Sequence, residues 1–179
     1  MNPVIQAIKE RRAVRAYKPD PVPGELLAQV LEAGLYAPSG MGTQRVLTVA
    51  VTDKALRDRL AKVNREIGGW PDPDFDPFYG APVVLIVLAE RESFTNVYDG
   101  SLVMANLMLA AHALGLGSCW IHRAQEEFEL PEFQALLKDL GVEGDYIGVG
   151  HCILGWPDGP LPAPAPRKEG RIVYADGTK

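Results

Sequence analysis

The stretch DGSLVMANLMLAAHALGLGSCWIHR, residues 99–123, decides how this chain folds. Between residues 102 and 114, apolar side chains occupy nearly every side of a helix, and only Asn106 and His112 interrupt them. A helix that is apolar all round belongs either in a protein core or in a membrane. A bilayer span needs about 20 apolar residues, and this run is shorter and contains two polar side chains. We therefore predict a central core helix.

The sequence also marks where this helix begins and ends. We predict Asp99 as the N-cap, because a short carboxylate accepts hydrogen bonds from the free backbone N–H groups of a first turn. Gly115 and Gly117 supply the stop, since glycine readily adopts the left-handed conformation that ends helices. The chain then turns into a short strand at residues 117–121 and leaves the core at His122.

Around this core helix, the spacing of apolar residues predicts further helices and strands. The predicted helices are a short first helix containing Val4, Ile5 and Ile8, one from Glu25 to Tyr36, one capped by Asp53 that includes Leu56 to Ile67, and one that begins at Pro131 and ends at Gly141. The predicted strands span residues 46–51, 82–89 and 146–154, with an edge strand at 171–174. Helices and strands interleave without strict βαβ order, which predicts an α+β fold with a central mixed or antiparallel sheet flanked by helices.

A bare strand face, an aromatic loop and a proline-rich arm complete the chain. Gly148 and Gly150 leave one face of their strand nearly bare, which lets a helix approach closely. The loop at residues 68–81 holds several aromatic side chains, which either line a substrate pocket or pack the loop down. We expect a single domain over residues 1–179, in which 155–179 form an extended arm that wraps a second copy of the chain.

Charge is distributed unevenly along the chain. The formal net charge of −5 argues against a nucleic-acid partner, which would require a basic face. Cations nevertheless cluster near both ends, at Lys9, Arg11, Arg12, Arg15 and Lys18 and again at Arg167, Lys168 and Arg171. Two basic clusters on an acidic chain indicate a local anion site, although a solvated helix face would give the same pattern.

The two cysteines, Cys119 and Cys152, lie in apolar sequence, which is typical of reduced, buried thiols in the cytoplasm. No signal peptide or membrane span is recognisable, so we expect a cytoplasmic protein without a membrane partner. Together with His122 and His151, these cysteines could surround a zinc ion, or Cys119 could act as a nucleophile. Adjacent residues of a strand point to opposite faces, and apolar surroundings raise the pKa of a thiol, so both alternatives are weak.

The positive signal is a combination of arginines and backbone donors, since the chain lacks the Rossmann and P-loop glycine fingerprints. Planar guanidinium groups bind phosphate bidentately, so Arg11, Arg12, Arg15 and Arg167 predict a phosphate cage. The turn at residues 38–44 offers small polar groups to a sugar-like chain. Backbone N–H groups at the end of strand 117–121 can stabilise the reduced form of a redox ring.

Taken in order, these pieces resemble the FMN-dependent nitroreductase superfamily along almost the entire chain. The matching segments are IKERRAVRAY (8–17), APSGMGTQ (37–44), GAPVVLIVLA (80–89), LMLAAHALGLGSCWIHRA (107–124), GHCILGW (150–156) and PAPRKE (164–169). The resemblance implies a nitroreductase-like α+β fold and an obligate, interlocked homodimer. It further implies two FMN sites at the dimer interface and C-terminal segments exchanged between the subunits.

The resemblance also implies which residues contact FMN. Those that look like the family's phosphate and ribityl contacts are Arg11, Arg12 and Arg15, joined by Arg167 from the tail. Pro38, Ser39 and Gly40 resemble the turn that the partner subunit contributes in this family. Ile121, His122 and Arg123 occupy the family's segment whose backbone N–H groups face the flavin N5 and carbonyl edge. Two positions depart from the family pattern: Ala13 replaces a common serine, and Gly42 replaces a common asparagine.

The implied activity is ping-pong hydride transfer through the flavin. NADH or NADPH reduces FMN and leaves, and an electron-poor acceptor of the nitroaromatic or quinone type then takes its place. Such chemistry needs positioning more than side-chain acids or bases, so we assign no catalytic residue and expect a structural role for His122. The alternatives are a non-catalytic flavin-binding or flavin-sensing protein, and a variant of the fold used for dehalogenation or flavin fragmentation.

Overall fold

Four strands form one antiparallel sheet in the computed structural model, which describes residues 1–175. They are β1 (Val46–Val51), β2 (Val83–Glu90), β3 (Gly117–Ile121) and β4 (Tyr146–Gly155), and they lie side by side in the order β1-β2-β4-β3. A bulge shifts the register of β2 against β4 between Val87 and Leu88. At the free edge of β3, Ala13 adds an isolated parallel bridge to Ser118. The predicted α+β class and central sheet are confirmed.

The helices within the described residues agree closely with the predicted ones. They are α1 (Pro3–Glu10), α2 (Gly24–Leu35), α3 (Lys54–Gly68), α4 (Asn96–Ala113), α5 (Ala124–Phe128) and α6 (Pro131–Asp139), with a short 3₁₀ turn at Gly40–Gly42. Asp53 caps α3 as predicted, because its carboxylate accepts the Leu56 N–H at 2.8 Å. The sequence did not predict α5, since five residues are too few to show a helical period.

Two apolar layers cover the two faces of the sheet. On one face, α3, α5 and α6 pack through side chains that include Leu60, Phe128 and Phe133, and on the other α2 and α4 pack through Val30, Met104 and Leu107. Strand β2 lies between the layers, and its residues 83–89 are all buried. Burial on both faces explains why this strand has a continuous apolar sequence instead of an alternating one.

The central helix α4 differs from its prediction in two respects. It begins four residues earlier than expected, with Thr95 instead of Asp99 at the N-cap, so the prediction that Asp99 caps the helix is wrong. Only one side of α4 is buried within the protomer, and Leu102 on another side is 42% exposed. The predicted stop is confirmed at Gly115, whose φ of +78° closes the helix.

The predicted bare face of β4 receives a helix, as expected. A Cβ at Gly148 would lie 2.6 Å from the backbone nitrogen of Gln125 and closer still to the Ala124 carbonyl. Helix α5 therefore rests directly on the strand, and this contact sets where the turn between β3 and α5 can lie.

The end of the chain leaves this core. Asp158 N donates to the Ala16 carbonyl at 2.9 Å, and beyond it residues 159–175 are exposed. No strand forms at 171–174, so the predicted edge strand is not observed. In the described part of the chain, no helix has the length and apolarity needed to cross a membrane.

Candidate functional site

The segment that follows α1 is fixed along the edge of β3. Val14 N donates to the Ser118 carbonyl at 2.9 Å, and the Val14 side chain is buried. It packs against the bare backbone of Gly117, where a Cβ would come within 2.9 Å of it. Residues 11–15, which contain the predicted phosphate contacts, are therefore held beside the strand that leads to residues 121–123.

The three N-terminal arginines have different environments. Arg12 Nη1 donates to the carbonyls of Lys9 and Arg11 at 2.7 Å each, so this guanidinium caps the C-terminus of α1. No ion pair or side-chain hydrogen bond engages the guanidinium groups of Arg11 and Arg15 within residues 1–175. Two of the three predicted phosphate contacts are thus available to an anion, whereas Arg12 is bonded to the backbone through Nη1 while its buried Nε has no partner among the described residues.

The positive charges of Arg11 and Arg15 also affect the pKa of the Cys119 thiol. Burial raises the pKa of Cys119, and the positive charges of Arg15 and Arg11 partly oppose that rise. Burial likewise raises the pKa of Cys152 to about 12. Both thiols are free and buried, and at neutral pH they stay protonated, which makes them poor nucleophiles. No cluster of three or more metal-ligating side chains is found in the described range 1–175.

The turn at residues 37–44 is anchored by a buried carboxylate. Asp99 accepts the Gly40 N–H at 3.0 Å and the Thr95 hydroxyl at 2.8 Å. Next to Gly40, the non-glycine residues Met41 and Gln44 both have a φ of +53°. Such left-handed residues cost free energy and persist only where the surroundings hold them. Sequence reasoning missed this role of Asp99, because its hydrogen-bond partner lies 59 residues away along the chain.

The exit from β3 has an unusual backbone. Arg123 adopts a φ of +76°, and its N–H donates to the His122 Nδ1 at 2.7 Å. This N–H is therefore engaged inside the protein, although we expected it to face a flavin. The imidazole of His122 is exposed and accepts through Nδ1, so its Nε2 is left as the position for a proton in the neutral ring.

The aromatic loop packs down onto the protein. Phe78 is fully buried, and Trp70 and Phe75 lie with ring centroids 5.1 Å apart. The guanidinium carbon of Arg123 lies 4.6 Å from the centre of the Trp70 ring, which places a cation over an aromatic face. Of the two open interpretations, the contacts favour packing for Phe78, while Trp70, 37% exposed, borders the β3 exit.

The structure brings together only part of the predicted set of contacts. Residues 11–15 and 121–123 both adjoin β3, whereas the turn containing Pro38, Ser39, Gly40 and Gly42 leads into β1 at the opposite edge of the sheet. Three strand intervals separate these edges by about 14 Å. Arg167 lies in the exposed tail, and no hydrogen bond or ion pair of its side chain is found among the described residues. The predicted contacts therefore fall into two groups within one protomer.

Comparison with known proteins gives one consistent family. The family model described as "Nitroreductase family" matches residues 8–156. A putative NADH dehydrogenase/NAD(P)H nitroreductase of Methanothermobacter thermautotrophicus is 31% identical over 121 residues, which cover 65% of this chain and 59% of the relative. An FMN reductase [NAD(P)H] of Bacillus subtilis is 30% identical over 166 residues, covering 79% of this chain and 66% of the relative. This chain thus spans less than two thirds of each of these two relatives.

A solved structure agrees over a greater length. The crystal structure of a nitroreductase with bound FMN from Bacteroides fragilis superimposes with a TM-score of 0.87 at 31% sequence identity. The superposition covers 97% of this chain and 99% of that one. The nitroreductase-like fold predicted from the sequence is therefore confirmed over nearly the whole chain.

Proposed function

Because the chain belongs to the nitroreductase family, we propose that it is an FMN-dependent oxidoreductase that takes hydride from NADH or NADPH. The electrons would pass to an electron-poor acceptor such as a nitroaromatic or a quinone. The observation that carries this proposal is the pair of guanidinium groups of Arg11 and Arg15, which have no partner among the described residues. They lie beside the strand that ends at residues 121–123, so an anionic tail and a flat ring have adjacent places.

The donors present fit FMN. Guanidinium forks suit the phosphate, and the left-handed backbone at residues 41–44 belongs to a strained turn of the kind found at ligand sites. When bound, FMN supplies a ring that accepts and releases hydride. The protein's part is to bind the phosphate through Arg11 and Arg15 and to orient the ring edge against the turn between β3 and α5. We assign no side chain as an acid or a base.

We also propose that the active unit is a homodimer. The turn at residues 38–42 lies on the sheet edge opposite to β3, so it can join the same flavin only if a second copy supplies it. The incompletely buried side of α4 supports this arrangement. It borders a groove of about 550 Å³ whose lining includes Pro3, Val4, Ala33, Tyr36 and Leu109. An apolar groove of this kind is typical of a protein–protein interface.

The arm and the location of the protein complete the proposal. Residues 155–158 of the predicted arm are held within the protomer by β4 and by residues 16–18, so the part that would cross to the second copy begins after Asp158. As an extension of a single domain, it would deliver Arg167 to the partner's phosphate site. Two buried, free thiols support a cytoplasmic location, where cysteines stay reduced.

Anaerobic reduction of the purified protein tests this function. The protein, loaded with FMN, should be yellow and should bleach on addition of NADPH or NADH. Subsequent addition of a quinone or a nitroaromatic should restore the colour. Bound FMN that neither pyridine nucleotide bleaches would favour the non-catalytic flavin-binding alternative, and a protein that takes up no FMN would refute the proposal.

A further inference from the structure

Three polar side chains are buried together beneath the turn between β3 and α5. Asn64 of α3, Glu127 of α5 and His151 of β4 are each completely buried. Asn64 Nδ2 donates to Glu127 Oε1 at 2.6 Å, and His151 Nε2 lies 2.9 Å from Glu127 Oε2. The cluster lies within an apolar layer, where the Phe78 ring is 5.3 Å from the imidazole. Burying such groups costs free energy unless they are paired with one another.

One side-chain hydrogen bond and one backbone hydrogen bond, from Glu127 N to the Arg123 carbonyl at 3.1 Å, connect the cluster to the turn. The amide nitrogen of Asn64 also donates to the His122 carbonyl at 2.8 Å, so one amide holds both α5 and the turn that precedes it. The next residue, Arg123, has a left-handed backbone at a φ of +76°. A non-glycine residue in that conformation is unfavourable and persists only when its neighbours hold it there. The bond from Asn64 fixes the peptide plane immediately before this strained residue.

We propose that Asn64 is a positioning residue that sets the backbone of His122 and Arg123 against the flavin ring, with Glu127 and His151 holding its amide in place. This inference rests on the proposed function. Asn64 acts through the His122 carbonyl. Because the Arg123 N–H of that peptide already bonds to His122 Nδ1, the donor that the fixed turn would present to the ring is the His122 N–H. Donors placed beside the ring stabilise negative charge on the reduced flavin, so a displaced turn should weaken the binding of reduced FMN more than that of oxidised FMN.

The test replaces Asn64 and compares two measurements. Asn64→Leu keeps the volume but removes the amide, and Glu127→Gln keeps an oxygen that can accept from Asn64. Leu60→Ala is the matched control, because Leu60 is a fully buried residue of the same helix and makes no polar contact with the turn. The first measurement is the two-electron midpoint potential of bound FMN. The second is the hydrogen exchange of amides 122–125 in the protein without FMN.

We expect the Asn64→Leu protein to prefer reduced over oxidised FMN at least tenfold less than the wild type does. This change equals a fall of about 30 mV in the midpoint potential of the bound FMN. Exchange at amides 122–125 should accelerate at least tenfold. Glu127→Gln should stay closer to the wild type in both measurements, and Leu60→Ala should lose stability while changing neither. If Asn64→Leu does not fold, the smaller polar substitution Asn64→Ser removes the same bond.

Two results would overturn the inference in distinguishable ways. An unshifted potential or unchanged exchange in the Asn64 variant would show that the amide does not position the turn, even with FMN bound and reducible. An equal shift in Leu60→Ala would show that general loss of stability causes the effect. A wild-type protein that takes up no FMN would instead refute the proposed function, and this inference with it.

Discussion

Replacing Gly148 by alanine should loosen the contact that seats α5 on the sheet. The new Cβ would lie 2.6 Å from the Gln125 nitrogen, which must retreat by about 0.8 Å to reach an ordinary contact of 3.4 Å. The Ala124 carbonyl, which is nearer still, must move further. Because the opposing atoms are backbone, no side chain can rotate away, and the cost should approach about 3 kcal/mol, the upper end for overpacking. The lower entropy of the unfolded alanine chain offsets about 0.4–1 kcal/mol.

The expected net loss is about 2 kcal/mol, which corresponds to a fall of roughly 4–8 °C in Tm for a chain of this size. Thermal unfolding followed by circular dichroism at one fixed protein concentration measures this. Gly24→Ala is the control, because no atom lies within 4 Å of its Cβ position, and its Tm should stay the same or rise slightly. If the Gly148→Ala protein has the same Tm as the wild type, the close packing of α5 on β4 does not depend on the absence of a side chain at residue 148.

Three further predictions follow from the charges, the thiols and the tail. Arg11→Ala and Arg15→Ala should each weaken FMN binding by about 1.5–3 kcal/mol, measured by flavin fluorescence titration, whereas Arg12→Ala should mainly lower Tm because its guanidinium caps α1. Unchanged affinity in both Arg11→Ala and Arg15→Ala would place the phosphate elsewhere, and an equal loss in Arg12→Ala would show that Arg12 also contacts it. Burial raises the pKa of Cys152 to about 12 from its usual 9.0, so the unfolded thiol ionises first and the free energy of unfolding should fall as the pH rises from 9 towards 12. Urea unfolding across that range should show the slope, and Cys152→Ala should reduce it. Truncation after Pro160 should dissociate the proposed dimer in sedimentation analysis, and a stable dimer of the truncated chain would exclude exchange of the tail.

Local sequence patterns were sufficient for most of the secondary structure. The N-cap of α3 involves Asp53 and a residue only three positions later, so it can be predicted from a short window. The continuous apolar sequence at 82–89 likewise identifies a strand buried on both faces. The bare face at Gly148 correctly predicted that a helix would approach. Helix α5 escaped prediction because five residues hold too little periodicity.

Local sequence patterns predicted only part of the candidate site. The motifs named the arginines, the turn at residues 37–44 and the exit at 121–123, and the family comparison confirmed the fold that they implied. Sequence could not separate Arg12, which caps α1, from Arg11, because both have the same side chain and adjacent positions. It also placed Asp99 at a helix cap, whereas the carboxylate anchors a turn far away in the chain.

The sequence by itself determined most of the helices and strands and the residue types available to a phosphate and a flat ring, because these depend on periodicity and composition within short windows. The tertiary structure alone decided that Asn64, Glu127 and His151 meet beneath one turn and that two groups of predicted contacts lie on opposite edges of the sheet. Contacts between residues far apart in the chain depend on the order of the strands and on how the helices pack across the sheet. Strand order and helix packing arise from free-energy differences summed over the whole chain, so no local pattern of residues encodes them.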